Sequence, residues 1–446
     1  MTFKHFLISI LFFYALQLHA QFSIEGTLEP EDKKLTWAML YQIKEGRQHY
    51  IKNTKIKDQR FKFELNDTAE VGMYRVVYRL KDEGFVDFLF NKENVVFTFN
   101  PDYAEVTTVY QTSIENKNYQ SYLNEITSAQ QVVDSLQVAY FRNTDSASKS
   151  LYKDAISTLN NVQEKHEDLN KDKLALHFIK ATKRYNAPEI VPVPQIYLKN
   201  IKANFFQHIN FQDEVLIGSS FLVDRVIDYV FYINTSKNTK MQQSLYKEAL
   251  ENVFSIEKSD SLQKDLIEIL IDEFVVLENI ELVNYLLDEH YARLPIDLQK
   301  SAYPKETRAK LKVVVGAIAP EIVWEEENTT KKLSELNTHK NYVVVFWSTG
   351  CSHCKKQMPE MYQLISTKKD IQVIAVALEK NAKEWKKVIP NFEGWHHVLG
   401  EKKWENETAR SYDVTGTPTY FVLDANKVIL AKPENFRDLE KALRKL

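Results

Sequence analysis

The sequence predicts a multidomain α+β chain: an N-terminal antiparallel β-sandwich, a helical middle domain and a C-terminal α/β domain. Three observations predict it. Residues 22–110 alternate apolar and polar side chains in short runs. Residues from about Asn116 to Tyr303 carry apolar side chains at three- and four-residue steps, with few glycines or prolines. After Pro304 the order becomes strand, helix, strand, helix, hairpin, helix, which is an α/β pattern.

Each part has its own local signals. Phe61 to Leu65, Met73 to Tyr78 and Val95 to Phe99 alternate with the period of two that a half-buried strand requires. Asn66-Asp67 and Asn100-Pro101-Asp102 supply turns between them. In the middle domain, Val215 to Ile233 and Leu262 to Leu287 read as helices, and the stretch 144–184 as a more polar one. The prolines between Ala187 and Pro194 mark an extended connector. In the last part, Val313 to Val315 lead into Gly316 and Pro320. Tyr342 to Phe346 is an unbroken apolar run, as expected of a strand buried on both faces. A helix is predicted from Cys351, a second buried strand over Ile371 to Ala377, and a helix over Ala382 to Ile389. Tyr420 to Leu423 and Val428 to Ala431 read as a hairpin, and Phe436 to Leu446 as a closing helix. The expected divisions are 1–20, 21–112 (β-sandwich), 113–308 (helical) and 309–446 (α/β).

Residues 1–20 read as an address. Lys4 and His5 precede the apolar run Phe6 to Leu16, and Leu18-His19-Ala20 ends in a small residue, the order of a cleaved secretory signal. No cysteine follows the run, so a lipidated N-terminus is not expected. The predicted location is the periplasm, in soluble form, where disulfides persist.

Composition narrows the function. Of 446 residues, 44% are hydrophobic and 27% charged, with a net charge of −3. Acids and lysines are interspersed, so no nucleic-acid partner is expected. The only two cysteines, Cys351 and Cys354, stand three apart. That spacing excludes a disulfide-stapled scaffold and a four-thiolate zinc site, and no metal or cofactor is expected. His396-His397 could be offered as further ligands, but adjacent strand residues point in different directions.

The segment Phe346-Trp347-Ser348-Thr349-Gly350-Cys351-Ser352-His353-Cys354 places two thiols where a buried strand passes into a helix. Free N–H groups and the partial positive charge of a helix N-terminus stabilise a thiolate there, and the thiolate is the reactive species. Cys351 is therefore the expected nucleophile and Cys354 the resolving thiol. Ser352 and His353 lie between them, and His353 can lend positive charge to Cys351. Downstream, Thr417-Pro418 opens a strand after a turn, a position suited to a cis-proline. Its backbone groups could pair with an extended peptide.

On these residues, 313–446 resemble the thioredoxin fold of the TlpA/ResA-like thiol–disulfide oxidoreductases. The matching features are Gly316 to Pro320, Phe346-Trp347, Cys351 to Cys354, Met358-Pro359 and Thr417-Pro418. The upstream domains are similar in architecture to extensions found on such proteins in Bacteroidetes. The resemblance implies reduction of exported protein disulfides, with electrons from a membrane redox partner. It implies redox-tuning and substrate-binding roles for Trp347, Ser352, His353, Thr417 and Pro418.

Three positions depart from that family. A buried Asp two residues before Trp347 is here Val345. A Glu three residues after the second cysteine is here Gln357. The aromatic residue before the first cysteine is here Gly350. In the family these carboxylates serve the proton of the resolving thiol. Glu379, at the end of the second buried strand, is a candidate replacement base. The Ser352-His353 dipeptide predicts an unusually acidic Cys351 and a pair more oxidising than a typical reductase. Two other readings compete. A thiol peroxidase would need Pro and Thr where Val344 and Ser348 stand. A scaffold or client-binding protein would make the redox domain secondary. The clients, the electron donor, the direction of electron flow and the oligomeric state are not encoded in any motif.

Overall fold

The computed structural model describes residues 21–80 and 84–446. The signal sequence expected over residues 1–20 lies outside them. The chain divides into two compact units, one ending at Gln263 and the other spanning Lys264–Leu446.

The first unit begins with two four-stranded sheets. Strands β1 (Gln21–Leu28), β2 (Trp37–Lys44), β3 (Arg47–Lys55), β4 (Arg60–Asn66), β5 (Gly72–Arg79), β6 (Gly84–Phe90), β7 (Val95–Phe99) and β8 (Val109–Tyr110) are arranged as β4-β1-β7-β8 and β3-β2-β5-β6. The expected alternation is realised most fully in β4, where Phe61, Phe63 and Leu65 are buried and every intervening residue is exposed. Both sheets contribute to one phenylalanine-rich core that includes Phe61, Phe63, Phe88, Phe90, Phe97 and Phe99. The sandwich is not purely antiparallel, because β1 and β7 run parallel.

Helices follow at Ile114–Arg142, Ser146–Leu169, Ala175–Thr182, Pro194–Ala203 and Thr239–Ser255. Asn116 joins the two layers. Its side chain accepts from the Leu89 N–H at 2.8 Å and donates to the Leu89 carbonyl at 2.7 Å. A single amide thus satisfies both backbone groups of a residue on the edge strand β6. Two long helices expected from periodicity are broken. Val215 to Ile233 divides into Glu214–Ile217, Phe221–Ile227 and a π-helical turn at Asp228–Ile233. Gly218-Ser219-Ser220 separates the first two pieces. Leu262 to Leu287 divides where Glu278 takes a left-handed backbone, φ 52°, between Asp260–Val276 and Ile280–Tyr285.

The second unit ends in a five-stranded sheet of order β13-β12-β11-β14-β15. Its strands are β11 (Asn341–Trp347), β12 (Ile371–Glu379), β13 (His396–Glu401), β14 (Thr419–Asp424) and β15 (Ile429–Ala431), preceded by a hairpin of β9 (Val323–Glu326) and β10 (Thr329–Lys332). Strand β11 is central, parallel to β12 and antiparallel to β14. Its side chains feed two cores by alternation. Tyr342, Val344 and Phe346 enter one; Val343, Val345 and Trp347 enter the other, with Met358, Met361 and Ile365 of the covering helix. Both faces are dry, which explains the unbroken apolar run. The helix expected over Ala382 to Ile389 is shorter, with one α turn at Trp385–Val388 continued by a 3₁₀ turn. The strand β13 and the hairpin β9–β10 were not expected. Gly316, at φ 92°, opens a segment that pairs with the chain entering β15: the Gly316 N–H and the Ala317 carbonyl bond Ile429, and the Ala319 N–H bonds the Lys427 carbonyl.

Phe346 is fully buried and packs against Tyr412 at 5.1 Å between ring centroids. Phe346→Ala is expected to cost about 3–5 kcal/mol of stability in this domain. Denaturant unfolding followed by near-ultraviolet circular dichroism measures it.

Candidate active site

The sheet places the site. Strands β11, β12 and β13 are parallel and end at one rim, where β14 begins. The chain leaves β11 at Trp347 and crosses Ser348-Thr349-Gly350. It enters the helix Ser352–Ser366 with Cys351 as N-cap. The Cys351 sulfur accepts the Cys354 backbone N–H at 3.2 Å. A cysteine here does what Ser or Asp does at an ordinary N-cap, and the bond favours its ionised form.

The crossing loop is held by a carboxylate. Glu379 ends β12 and is 8% exposed. Its Oε1 accepts from the Thr349 N–H at 2.5 Å and from the Ser348 hydroxyl at 3.1 Å. The Ser348 hydroxyl oxygen in turn accepts the Gly350 N–H at 3.2 Å, and the Ser348 carbonyl accepts the Cys351 N–H at 3.1 Å. Glu379 therefore anchors the loop that presents Cys351. Both of these bonds of Glu379 run to the loop.

The two thiols differ in setting. Cys351 is part-exposed and Cys354 fully buried. Burial pushes the Cys351 thiol up. Hydrogen bonds from the Cys354 thiol and N–H, the Thr417 side chain and the His353 N–H outweigh it, leaving the group below an ordinary thiol. Burial, then the hydrogen bond to Cys351, drives Cys354 far above that range. Both cysteines are free.

The remaining expected residues gather around them. The Thr417–Pro418 peptide is cis, and the Thr417 carbonyl lies 3.3 Å from the Cys351 sulfur, where it accepts the thiol hydrogen. That carbonyl is thus engaged with the nucleophile. Ser352 and His353 are exposed on the first helical turn. Trp347 is 2% exposed beneath the site, edge-on to Phe392 at 6.1 Å. His396 and His397 are committed elsewhere: His396 Nδ1 lies 2.9 Å from the Glu326 carboxylate, and His397 Nε2 lies 3.0 Å from the Phe392 carbonyl.

One neighbour was not anticipated. Tyr420 stands opposite Val345 across β11 and β14, is 1% exposed, and donates its phenol to Gln357 Oε1 at 2.8 Å. It shares the helix-side core with Cys354. The available signal was register: a strand entered after Thr417-Pro418 puts Tyr420 on the face of Val345.

Fold and site together define the class: a thioredoxin-like domain carrying a Cys-x-x-Cys pair at a helix N-terminus. Residues 339–429 match the family described as thioredoxin-like. The thiol-disulfide oxidoreductase ResA of Geobacillus kaustophilus is 26% identical over 143 residues, covering 31% of this chain and 80% of that protein. The thioredoxin-like protein YneN of Bacillus subtilis is 26% identical over 131 residues, covering 28% and 75%. Among solved structures, the thioredoxin domain of a thiol-disulfide oxidoreductase from Bacteroides vulgatus is 26% identical, covers 30% of this chain and 96% of that domain, and has a TM-score of 0.27. The enzyme class is thiol–disulfide oxidoreductase.

Glu379→Gln keeps an acceptor oxygen for the loop, and Glu379→Ala removes it. The Ala variant is expected to lose about 1.5–3 kcal/mol for each charged hydrogen bond deleted and to exchange disulfides more slowly. The Gln variant should stay near wild type in insulin-reduction turnover.

Proposed function

We propose that the protein is an exported thiol–disulfide oxidoreductase that acts on protein disulfides in the periplasm through Cys351 and Cys354. The observation that carries this reading is the asymmetry of the pair, a part-exposed sulfur stabilised as thiolate three residues from a buried thiol.

The Cys351 thiolate attacks a client disulfide. A bond forms between its sulfur and one client sulfur, the client disulfide breaks, and the other client sulfur leaves as a thiolate. Cys354, once deprotonated, attacks the Cys351 sulfur. The Cys351–Cys354 disulfide forms and the client departs reduced by two electrons. Regeneration takes two electrons from a redox partner, which we place at the membrane. Trp347 supports the loop from below. Ser352, His353, Thr417 and Pro418 form the surface a client meets, with Thr417 backing the reacting sulfur.

Export rests on the address read in residues 1–20. Among the described residues no helix is long and apolar enough to cross a membrane. The domains before the redox domain are proposed to select clients. A stabilised Cys351 thiolate favours the reduced pair, and so a more oxidising potential than that of a pair with ordinary thiols.

Cys351→Ser is expected to abolish exchange. Cys354→Ser is expected to accumulate mixed disulfides on Cys351, which mass spectrometry of trapped complexes identifies. Deleting residues 21–300 should abolish reduction of protein clients and spare reduction of a small aromatic disulfide. Equal loss of both, or of neither, contradicts client selection by the extension.

A further inference from the structure

A cavity of about 750 Å³ lies in the first unit, along one edge of the sandwich. Residues 84–89, consecutive positions of β6, line one wall, and residues 101–106 line another. Tyr119, Gln120 and Leu123 of the helix Ile114–Arg142 close a third side. The volume falls within the ~300–1,000 Å³ common to ligand pockets. A wall made of one continuous strand suits an extended chain better than a compact ligand.

The backbone of that wall is part open. β6 is the last strand of its sheet, and an edge strand presents N–H and C=O groups for a further strand. At one end the edge is closed. Asn116 takes both backbone groups of Leu89, and the Asp87 carbonyl accepts the Tyr110 hydroxyl at 2.8 Å. Alternation along an antiparallel strand turns the Phe85 N–H and carbonyl to the same edge. The pairing positions at the Phe85 end therefore lie beside the cavity.

Side chains give the cavity a preference. The Phe85 ring carries the Arg75 guanidinium 3.7 Å from its centroid. On the facing wall Tyr103 is 66% exposed and Val106 80% exposed. Large apolar groups held this open around one cleft mark a surface that a partner covers. Among the described residues, four carboxylates line the cavity, those of Asp87, Asp102, Glu105 and Asp224, against the two guanidiniums of Arg75 and Arg79. Arg75 grips Asp87 through two bonds, at 2.6 and 2.7 Å. Arg79 is shared between Asp102 and Asp32, which lies outside the cavity. The balance is negative, so a chain bearing Lys or Arg is attracted and an acidic one repelled.

We propose that this cleft binds an extended, apolar segment of an unfolded client that carries basic side chains, adding it as a short strand beside Phe85 on the open edge of β6. The proposal rests on the exchange reading given above and gives the client-selecting role of the N-terminal domains a definite place. Main-chain pairing holds the segment, and the apolar and acidic walls choose among sequences.

The probe is a fluorescein-labelled, cysteine-free peptide of alternating valine and lysine, titrated with the full chain and followed by fluorescence anisotropy. Saturable binding is expected. The same peptide with glutamate for lysine should bind about tenfold more weakly, the loss set by one charge-assisted contact. Of two copies N-methylated on alternate residues, one offers no donors to β6 and should weaken comparably. Glu105→Lys alters an exposed residue of the cavity wall. It should weaken the basic peptide and strengthen the acidic one, a reversal that misfolding cannot produce. Absence of saturable binding, indifference to peptide charge, full binding by both methylated copies, or an unchanged preference in Glu105→Lys would each overturn this inference. None of these touches the exchange reading, which stands or falls on loss of disulfide turnover in Cys351→Ser.

Discussion

The Cys354 N–H donating to the Cys351 sulfur is the contact on which the chemistry depends. It is a helix cap whose acceptor is also the nucleophile. An ordinary N-cap oxygen contributes about 1 kcal/mol to its helix. A sulfur in that place transfers part of the benefit to its own ionisation, because the bond is stronger to a thiolate than to a thiol. Everything around it serves to hold that geometry. Strand β11 is dry on both faces and ends at a fixed point. Glu379 fixes the three-residue crossing. Thr417 closes the far side of the sulfur.

The same arrangement separates the two thiols. One sits at the rim with N–H groups pointing at it. The other is a turn further along, facing the core. Burial opposes charge at both. Only Cys351 has enough donors to overcome it. Three residues of separation thus produce an attacking group and a resolving group from identical side chains.

Much of this was legible in the sequence, and the reasons are local. Strands β4, β5, β7, β11, β12 and β14 announced themselves because period-two alternation or a continuous apolar run directly reports sheet burial. The cysteine spacing and Thr417-Pro418 identified the site because each is a short-range signal. Strand β13 was missed: His396-His397 at its start gives no apolar alternation, and its burial comes from lying against β12. The hairpin β9–β10 was missed because its residues are mostly charged or polar and exposed. The long middle helices broke where Gly218-Ser219-Ser220 and Glu278 interrupt a still-periodic pattern. The anchoring by Glu379 and the Tyr420–Gln357 pair join residues 30 and 63 positions apart, and no local pattern encodes such a contact. The sequence flagged Gln357 as a departure; the phenol that occupies it emerged only from the register of β14.

Hydrogen bonds at its sulfur hold Cys351 below an ordinary thiol, while burial holds Cys354 above it. Alkylation of the reduced full chain by iodoacetamide as a function of pH, with the labelled cysteine assigned by mass spectrometry, tests this difference most directly. Rapid labelling confined to Cys351 is expected, with an apparent pKa below the free-thiol value of about 8.5. As pH falls through that lowered value the thiolate, and with it the rate, is lost. Cys354 should stay unlabelled until the protein unfolds. Equal labelling of both cysteines, or a Cys351 midpoint at the free-thiol value, would contradict it.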